Sequence, residues 1–259
     1  MGYASVTSNL IDMRREPAHQ SERVNQLLFG EVVKTGRSHD GFISVTQSDG
    51  YTGWVDHRFL THTNKAQFGV PSSFMVVALT ARTYDAGGKP VDPFFLYYGT
   101  KLNGKGKGDG FVRASLPSGR YLLLKASALQ PIKRKTATSP GRIITEARRF
   151  LGVPYLWGGI SPAGFDCSGF VRAIFGRFGI NLARDTKDQV AQGEPVERRS
   201  IKSGDLMFFP GHVGIAIGRG RLIHASRGGG GVRVNSLTPG ADDYRGDLDH
   251  DFHTARRIM

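Results

Sequence analysis

The spacing of apolar residues changes near residue 135, and this change constrains the fold more than any other feature of the chain. Residues 5–60 carry short apolar runs about ten residues apart, separated by turn-forming residues, and residues 72–129 repeat the pattern. Evenly spaced runs of this kind are typical of small all-β barrels or sandwiches. After residue 139 the spacing becomes helical. We therefore expect two small β units followed by a domain of another class.

The individual elements follow from the same pattern. We predict strands at residues 24–30, 31–34, 41–46 and 51–55 in the first β unit and at 73–83, 94–98, 110–114 and 121–125 in the second. The glycine-rich residues 104–110 are interpreted as a flexible hairpin tip, because no helix follows them that could turn them into a phosphate-binding loop.

Residues 131–140 (PIKRKTATSP) separate the two patterns. They lack apolar periodicity and hold three consecutive basic residues between two prolines, which favours an exposed linker. We predict one β domain over residues 1–68, a second β domain with the linker over 69–134, and a third domain over 135–259.

The third domain begins with a helix, since Ser139 can cap it and Pro140 suits its first turn. A second helix is predicted at 167–178, and strands at 205–209, 212–218, 221–226 and 231–235. Helices followed by an antiparallel sheet make this an α+β domain. Its tail, residues 247–253, is rich in potential metal ligands, but no second cluster accompanies it. We interpret it as a solvated strand end and expect neither a metal nor another cofactor.

Charge and hydropathy limit the possible partners. The chain has 35 Lys and Arg against 22 Asp and Glu, a net charge of +13, which favours polyanions such as nucleic acid, an anionic membrane or an anionic cell wall. No nucleic-acid motif accompanies the basic residues, so we expect no nucleic acid partner. No apolar run approaches the ~20 residues that span a bilayer. The start lacks a signal peptide, which predicts a cytoplasmic protein, or a periplasmic or extracellular one if a signal was trimmed.

Cys167 is the only cysteine, so an intramolecular disulfide and a Cys-x-x-Cys site are excluded. It lies where the second helix of the third domain is predicted to begin. The helix dipole there favours thiolate over thiol, and the backbone N–H groups can stabilise an oxyanion. The alternative is that Cys167 is a small buried apolar residue, as free cysteines often are.

His212 and His224 lie in consecutive predicted strands. If residues 218–220 form the loop of a hairpin, His224 pairs with Gly214, and His212 lies diagonal to it on the same face. A thiol packed across from two imidazoles would supply a nucleophile, a base and an orienting group. A histidine taken alone in a strand is more often a structural residue than a catalytic one, so each of them has this alternative interpretation. Ser168 does not fit a serine-hydrolase elbow, because Asp166 stands where the first glycine should be.

Six segments of the third domain resemble the NlpC/P60 cysteine peptidases in residue type, order and spacing. They are residues 150–159 (FLGVPYLWGG), 164–170 (GFDCSGF), 184–189 (RDTKDQ), 204–209 (GDLMFF), 212–215 (HVGI) and 223–226 (IHAS). The β units are similar to the bacterial SH3-like domains often fused to these peptidases, through residues 27–31 (LLFGE) and 49–55 (DGYTGWV). The resemblance therefore implies a papain-like α+β catalytic domain preceded by two small all-β SH3-like barrels.

The resemblance also implies an activity: a cysteine endopeptidase that cleaves peptidoglycan stem peptides between D-glutamate and the diamino acid, without cofactor. It makes Cys167 the nucleophile, His212 the general base and His224 the residue that orients this base. The expected partner is a murein-derived peptide, for which we predict a free N-terminal L-Ala and a role in cell-wall turnover or recycling.

Four further residues are implied as substrate contacts. Tyr155 would lie beside the nucleophile, and Asp166 and Ser168 would help to hold the substrate's N-terminal amine. Tyr51 of the first SH3-like domain would close one end of the cleft. The acidic residue expected with Tyr51 does not align, since Val24 stands in its place and Glu22 is only nearby.

Two alternatives from other classes stay open. One is a wall-binding protein in which the SH3-like pair is the active part. The other is a thiol-dependent amidase or acyltransferase on the same scaffold.

Overall fold

The computed structural model describes residues 2–116, 119–132 and 138–259. The chain divides into two compact units, Met1–Arg134 and Lys135–Met259. The centre of the predicted linker, residues 133–137, and the predicted domain boundary at 134/135 lie outside the described residues. Within the described ranges, no helix is both long and apolar enough to cross a bilayer.

The first unit opens with a seven-stranded antiparallel sheet in the order β3-β2-β6-β5-β4-β1-β7. Its strands are β1 (Gly2–Val6), β2 (Leu10–Arg14), β3 (Arg23–Leu28), β4 (Val32–His39), β5 (Phe42–Thr46), β6 (Thr52–Asp56) and β7 (Leu60–Thr63). Alternation places Ile11 and Met13 of β2 on the buried face, and valines from four other segments complete the core with Leu27. The sequence predictions missed β1, β2 and β7.

A second seven-stranded antiparallel sheet follows, in the order β10-β9-β13-β12-β11-β8-β14. Its strands are β8 (Phe74–Val76), β9 (Thr80–Tyr84), β10 (Pro90–Tyr97), β11 (Lys101–Gly106), β12 (Phe111–Ser115), β13 (Tyr121–Lys125) and β14 (Leu129–Pro131). The single strand predicted at 73–83 is therefore two strands. The backbone N–H groups of Val77 and Ala78 both donate to the Ala128 carbonyl, and β8 ends at this shared acceptor.

The predicted hairpin tip at 104–110 is also corrected. Gly104 and Gly106 belong to β11 and pair with Ala114 and Val112, so the turn is confined to residues 107–110. A Cβ on Gly104 would lie 2.7 Å from the Arg113 carbonyl oxygen. Glycine is therefore required there by close strand approach and not by loop flexibility.

Phe29, in the turn between β3 and β4, belongs to the core of the second sheet. It is 6% exposed and packs with Val76, Leu96 and Leu102 among others. The two sheets of the first unit therefore share buried apolar surface. The predicted division of this unit at residue 68 stays a prediction.

Over residues 138–259, the second unit combines four α-helices with a six-stranded antiparallel sheet in the order β17-β22-β18-β19-β20-β21. The helices are α1 (Pro140–Arg148), α2 (Cys167–Gly176), α3 (Thr186–Gln189) and α4 (Gly246–His250). The strands are β15 (Ile160–Ser161) and β16 (Gly164–Phe165), which form a separate pair, and β17 (Glu194–Val196), β18 (Leu206–Phe209), β19 (His212–Gly218), β20 (Arg221–Ser226), β21 (Gly231–Ser236) and β22 (Thr254–Arg257).

Helix α2 packs its apolar face against β19 and β20. Phe165 and Phe170 meet edge to face, with ring centroids 5.7 Å apart, and fix the start of the helix on the core. The tail that was predicted as a strand end, residues 247–253, instead begins within α4, and its last three residues lead into β22. The Tyr244 hydroxyl donates to the Asp249 carboxylate and ties this helix to the preceding loop.

Candidate active site

Cys167 occupies the first turn of α2. Asp166 is the N-cap of this helix, and its carboxylate accepts the backbone N–H of Gly169 at 2.6 Å. The Cys167 side chain is 6% exposed. Its sulfur lies 3.8 Å from the Thr186 hydroxyl and 3.9 Å from the carbonyl oxygen of Gly211. Gly211 directly precedes His212, so the thiol lies beside the start of the strand that carries the first histidine.

Asp166 forms a buried ion pair with Arg184, which is 3% exposed. The guanidinium binds both carboxylate oxygens, at 2.6 and 3.2 Å, and also donates to the Ser168 hydroxyl at 2.9 Å. The backbone N–H of Gly158 donates to the same carboxylate at 3.0 Å. Asp166 therefore has a cationic partner of its own. A substrate without an ammonium group would not leave this acid unpaired.

The loop before α2 approaches the helix closely. A Cβ on Gly169 would lie 2.2 Å from the Gly159 carbonyl oxygen, so no larger residue fits at this position. The same carbonyl accepts the backbone N–H of Asp166 at 3.1 Å. The two glycines therefore let the loop hold the N-terminus of α2 in place.

The two histidines meet on one face of the β19–β20 hairpin. Nε2 of His212 lies 2.7 Å from Nδ1 of His224, and the ring centroids are 4.9 Å apart. The register places His224 opposite Gly214, as predicted: Ile215 pairs with Ile223, and a Cβ on Gly214 would meet the Cβ of His224 at 3.1 Å.

The turn of this hairpin differs from the predicted three-residue loop. Gly218 pairs with Arg221, which leaves a two-residue turn at Arg219 and Gly220, both with positive φ. A bulge between Ala216 and Gly218 restores the register that the shorter turn would have shifted. The histidines consequently share a face even though the assumed loop was wrong.

Burial sets the protonation state of the thiol. It raises the pKa of Cys167, and the negative charge of Asp166 raises it further, while the Thr186 hydroxyl opposes the shift. The sequence predicted the opposite direction from the helix dipole. That prediction is wrong for the free protein, because the dipole acts on a thiol that has little contact with solvent.

Burial also lowers the pKa of His212 to about 3 and the pKa of His224 to about 4. The charge of His224 lowers the pKa of His212 further, whereas the hydrogen bond to Asn235 raises the pKa of His224. Both rings are therefore neutral at neutral pH. The unfolded chain, with a histidine pKa of about 6.5, binds more protons. The free energy of unfolding should accordingly fall as the pH drops from 6.5 towards 4.

Titration of the imidazole C–H signals by NMR tests this directly. We expect midpoints below pH 5 for His212 and His224 in the folded protein and midpoints near 6.5 in denaturing urea. A folded-state midpoint near 6.5 for both rings would contradict the buried, neutral pair.

The other predicted site residues lie as follows. Tyr155 is half-buried, and burial together with the charges of Cys167 and Asp166 raises the pKa of its phenol. Its hydroxyl therefore stays protonated at neutral pH and can donate a hydrogen bond. Tyr51 belongs to the first unit, where its hydroxyl donates to the Val24 carbonyl at 3.3 Å. Their roles towards a substrate, like those of Asp166 and Ser168, stay predictions.

Residues outside the predicted site also contribute to it. Arg184 and Thr186 contact the helix start, and Asn235 lies 3.0 Å from Nε2 of His224 through its side-chain oxygen. Asn235 lies two residues along β21 from Arg233, the register partner of His224, and therefore on the same face; no pattern in the sequence predicted this register. In the part of the chain that the structure describes, no cluster of three His, Cys, Asp or Glu side chains could hold a metal ion.

Comparison with known proteins identifies relatives of both units. The NlpC/P60 family model matches residues 152–244, and that of the bacterial dipeptidyl-peptidase Sh3 domain matches residues 13–60. The gamma-D-glutamyl-L-lysine dipeptidyl-peptidase of Bacillus subtilis is 33% identical over 230 residues, which cover 82% of this chain and 75% of that protein. A Bacillus cereus protein of the same name is 30% identical over 212 residues, 76% of this chain and 64% of that protein.

A solved structure shows the shared fold. The crystal structure of an NlpC/P60 family protein from Bacillus cereus superposes with a TM-score of 0.85 at 24% identity, over 99% of both chains.

Proposed function

Because the chain belongs to the NlpC/P60 family, we propose that it is a cysteine peptidase that hydrolyses the bond between γ-D-glutamate and the diamino acid of peptidoglycan stem peptides. The observation that carries this proposal is the His212–His224 pair, hydrogen-bonded at 2.7 Å next to a cysteine at a helix start. The names of the two Bacillus relatives support the choice of bond.

The proposed reaction proceeds through a thioester. His212 takes the proton of Cys167, and the sulfur attacks the γ-carbonyl carbon of D-glutamate. The C–N bond then breaks, and His212 returns the proton to the departing amine of the diamino acid. Water attacks the thioester with His212 again as base, which releases the acid and restores the thiol. His224 orients His212 in both halves.

The oxyanion of each tetrahedral intermediate needs hydrogen-bond donors. The backbone N–H of Cys167 lies in the first turn of α2 and has no carbonyl partner within the helix. The protonated Tyr155 hydroxyl is the second proposed donor, since the raised pKa of this phenol keeps its proton in place.

We propose further that the substrate carries a free N-terminal L-Ala. The relatives' name supports this, because a dipeptidyl-peptidase removes two residues from a free N-terminus. Asp166 alone does not account for it, since Arg184 already pairs with this carboxylate. The proposed substrate contacts in the second unit are therefore Tyr155, Asp166 and Ser168 as a group, whereas a role for Tyr51 of the first unit stays a prediction from the resemblance.

Mass spectrometry of the products tests the proposed bond. Incubation with L-Ala-γ-D-Glu-L-Lys or with L-Ala-γ-D-Glu-meso-diaminopimelate should release L-Ala-D-Glu and the free diamino acid. An amidase or acyltransferase would give products of other masses. A wall-binding protein would leave both peptides intact and sediment with sacculi.

The N-acetylated tripeptide tests the requirement for a free amine. We expect kcat/KM to fall about 10- to 100-fold relative to the free peptide, the range for losing one hydrogen bond to a charged group. A thousandfold loss would require a carboxylate left without a partner, and Arg184 prevents that at Asp166. Equal cleavage of both peptides would refute the free-amine proposal but not the proposed bond.

A further inference from the structure

The hydrogen bonds of the histidine pair continue beyond His224 to Asn235. Both side chains are buried, with 1% of His224 and 4% of Asn235 exposed. Oδ1 of Asn235 lies 3.0 Å from Nε2 of His224, and Nδ2 of Asn235 donates to the main-chain carbonyl of Asp243 at 3.0 Å. A continuous chain of hydrogen bonds thus runs from Asp243 through Asn235 and His224 to His212.

The Asp243 carbonyl fixes the donor-to-acceptor direction of each of these hydrogen bonds. A carbonyl oxygen can only accept, and this one also receives the backbone N–H of Ser236 at 3.1 Å. The NH₂ end of the Asn235 amide must therefore face Asp243, and its oxygen must face His224. An amide oxygen accepts only, so Nε2 of His224 must carry a proton.

The same logic continues into His212. A neutral imidazole carries one N–H, so Nδ1 of His224 presents a lone pair. Nδ1 lies 2.7 Å from Nε2 of His212, which must then be the donor. Neutral His212 is left with its lone pair on Nδ1. Burial supports this assignment, because it lowers the pKa of both rings and keeps them neutral at neutral pH.

We propose that Asn235 is a positioning residue that acts through His224 to hold a proton on Nε2 of His212, which leaves Nδ1 of His212 free as the base. When Nδ1 accepts the thiol proton, Nε2–H continues to donate to His224, and no hydrogen bond has to reverse. The opposite tautomer of His224 would place the proton on Nδ1 of His212 and block the base. This role rests on the proposed peptidase reaction.

The loop that carries the Asp243 carbonyl is itself anchored. The Asp243 carboxylate pairs with Nη2 of Arg221, at the start of β20, at 2.5 Å. The anchor links the loop back to the strand that bears His224. The orientation of the Asn235 amide is therefore fixed from two adjacent strands.

Replacing Asn235 with leucine removes the acceptor and keeps a side chain of similar size. We expect kcat/KM for the L-Ala-γ-D-Glu-L-Lys tripeptide to fall about 10- to 100-fold, as for loss of a buried hydrogen bond on which the base depends. The matched control is Ser236→Ala at the next position on β21, which removes the hydroxyl that accepts the backbone N–H of Thr238 at 3.0 Å. It should leave kcat/KM within about threefold. An equal loss in both variants would mean that Asn235 only stabilises the strand.

Asn235→Asp separates tautomer control from packing. A carboxylate accepts the same Nε2–H but cannot donate to the Asp243 carbonyl as the amide does, so part of the lost activity should return near pH 8. The negative charge of the new carboxylate should raise the pKa of His224, as the charge of Asp247 does. Arg233 and Arg245 oppose this shift, because their positive charges lower the same pKa. The acidic limb of the kcat/KM profile should therefore move to higher pH. An Asp variant as inactive as the Leu variant, with an unshifted profile, would overturn the proposal.

A measurement on the wild-type protein is independent of any substrate. Nitrogen-15 chemical shifts and two-bond couplings of the imidazoles identify the protonated ring atom. We expect a proton on Nε2 of both His212 and His224 at pH 7, and partial loss of this pattern in Asn235→Leu. A proton on Nδ1 of His224 in the wild type would overturn the proposal even if the peptidase reaction is confirmed. If the peptides are not cleaved, the proposed function fails, while the spectrum still decides the tautomer.

Discussion

Replacing Cys167 with alanine is expected to lower kcat/KM for the tripeptide at least about 10⁴-fold, because no other group can form the thioester. Stability should change little, since the substitution removes one sulfur atom whose polar contacts, to the Thr186 hydroxyl and the Gly211 carbonyl, are long, at 3.8 and 3.9 Å. Peptide hydrolysis and thermal unfolding measured on the same sample test both statements.

Val171→Ala is the matched control, because Val171 is fully buried on the same helix and has no part in the proposed reaction. It should cost about 2 kcal/mol of unfolding free energy and keep kcat/KM within a few fold. Loss of activity in proportion to stability in both variants would assign Cys167 to the core and remove the proposed nucleophile.

Replacing Arg184 with methionine is expected to lower the unfolding free energy of the second unit by about 3–5 kcal/mol, because the Asp166 carboxylate would remain buried without a cation. Activity should fall as well, since Asp166 caps the helix that begins with Cys167. Adding Asp166→Asn should recover part of the stability, because an amide oxygen can still cap the helix and carries no charge.

Fluorescence of Trp157 in a Trp54→Phe background reports the unfolding of this unit, because Trp157 adjoins Gly158, whose N–H binds the Asp166 carboxylate. The control is Arg199→Met. Arg199 pairs with Glu197, but these side chains are 85% and 68% exposed, so the change should stay below about 1 kcal/mol. Similar losses at both pairs would show that burial of the Arg184 pair contributes nothing.

Much of the fold could be predicted because local signals agree with the tertiary structure. The all-β half, the α+β half and the papain-like class preceded by SH3-like units are confirmed. The start of α2 was predictable because Asp166 is a strong N-cap and an apolar helical face follows it. The shared face of His212 and His224 followed from the two-residue period of a hairpin, which the bulge preserved.

The errors arise at residues whose pKa or partner depends on contacts between distant parts of the sequence. The thiol pKa was predicted from the helix dipole, a local effect, whereas burial by the surrounding elements reverses it. Arg184 stands in a recognised motif, but only the fold brings it to Asp166, 18 positions earlier. Asn235 was missed because only the register between β20 and β21 shows which polar side chain of β21 accepts the hydrogen bond from Nε2 of His224.

The side chain of Phe29, from the turn after β3, is part of the hydrophobic core of the second sheet. Full burial of a phenylalanine contributes about 1.5–3 kcal/mol, a sizeable share of what holds a small β module together. We call the two sheets of the first unit modules. A gene fragment that encodes only the second module would give a protein with a cavity in its core, and one that encodes only the first would give a protein with the Phe29 ring exposed. Recombination should therefore transfer the two modules as a pair, and a library that exchanges only one of them should carry a compensating change at position 29.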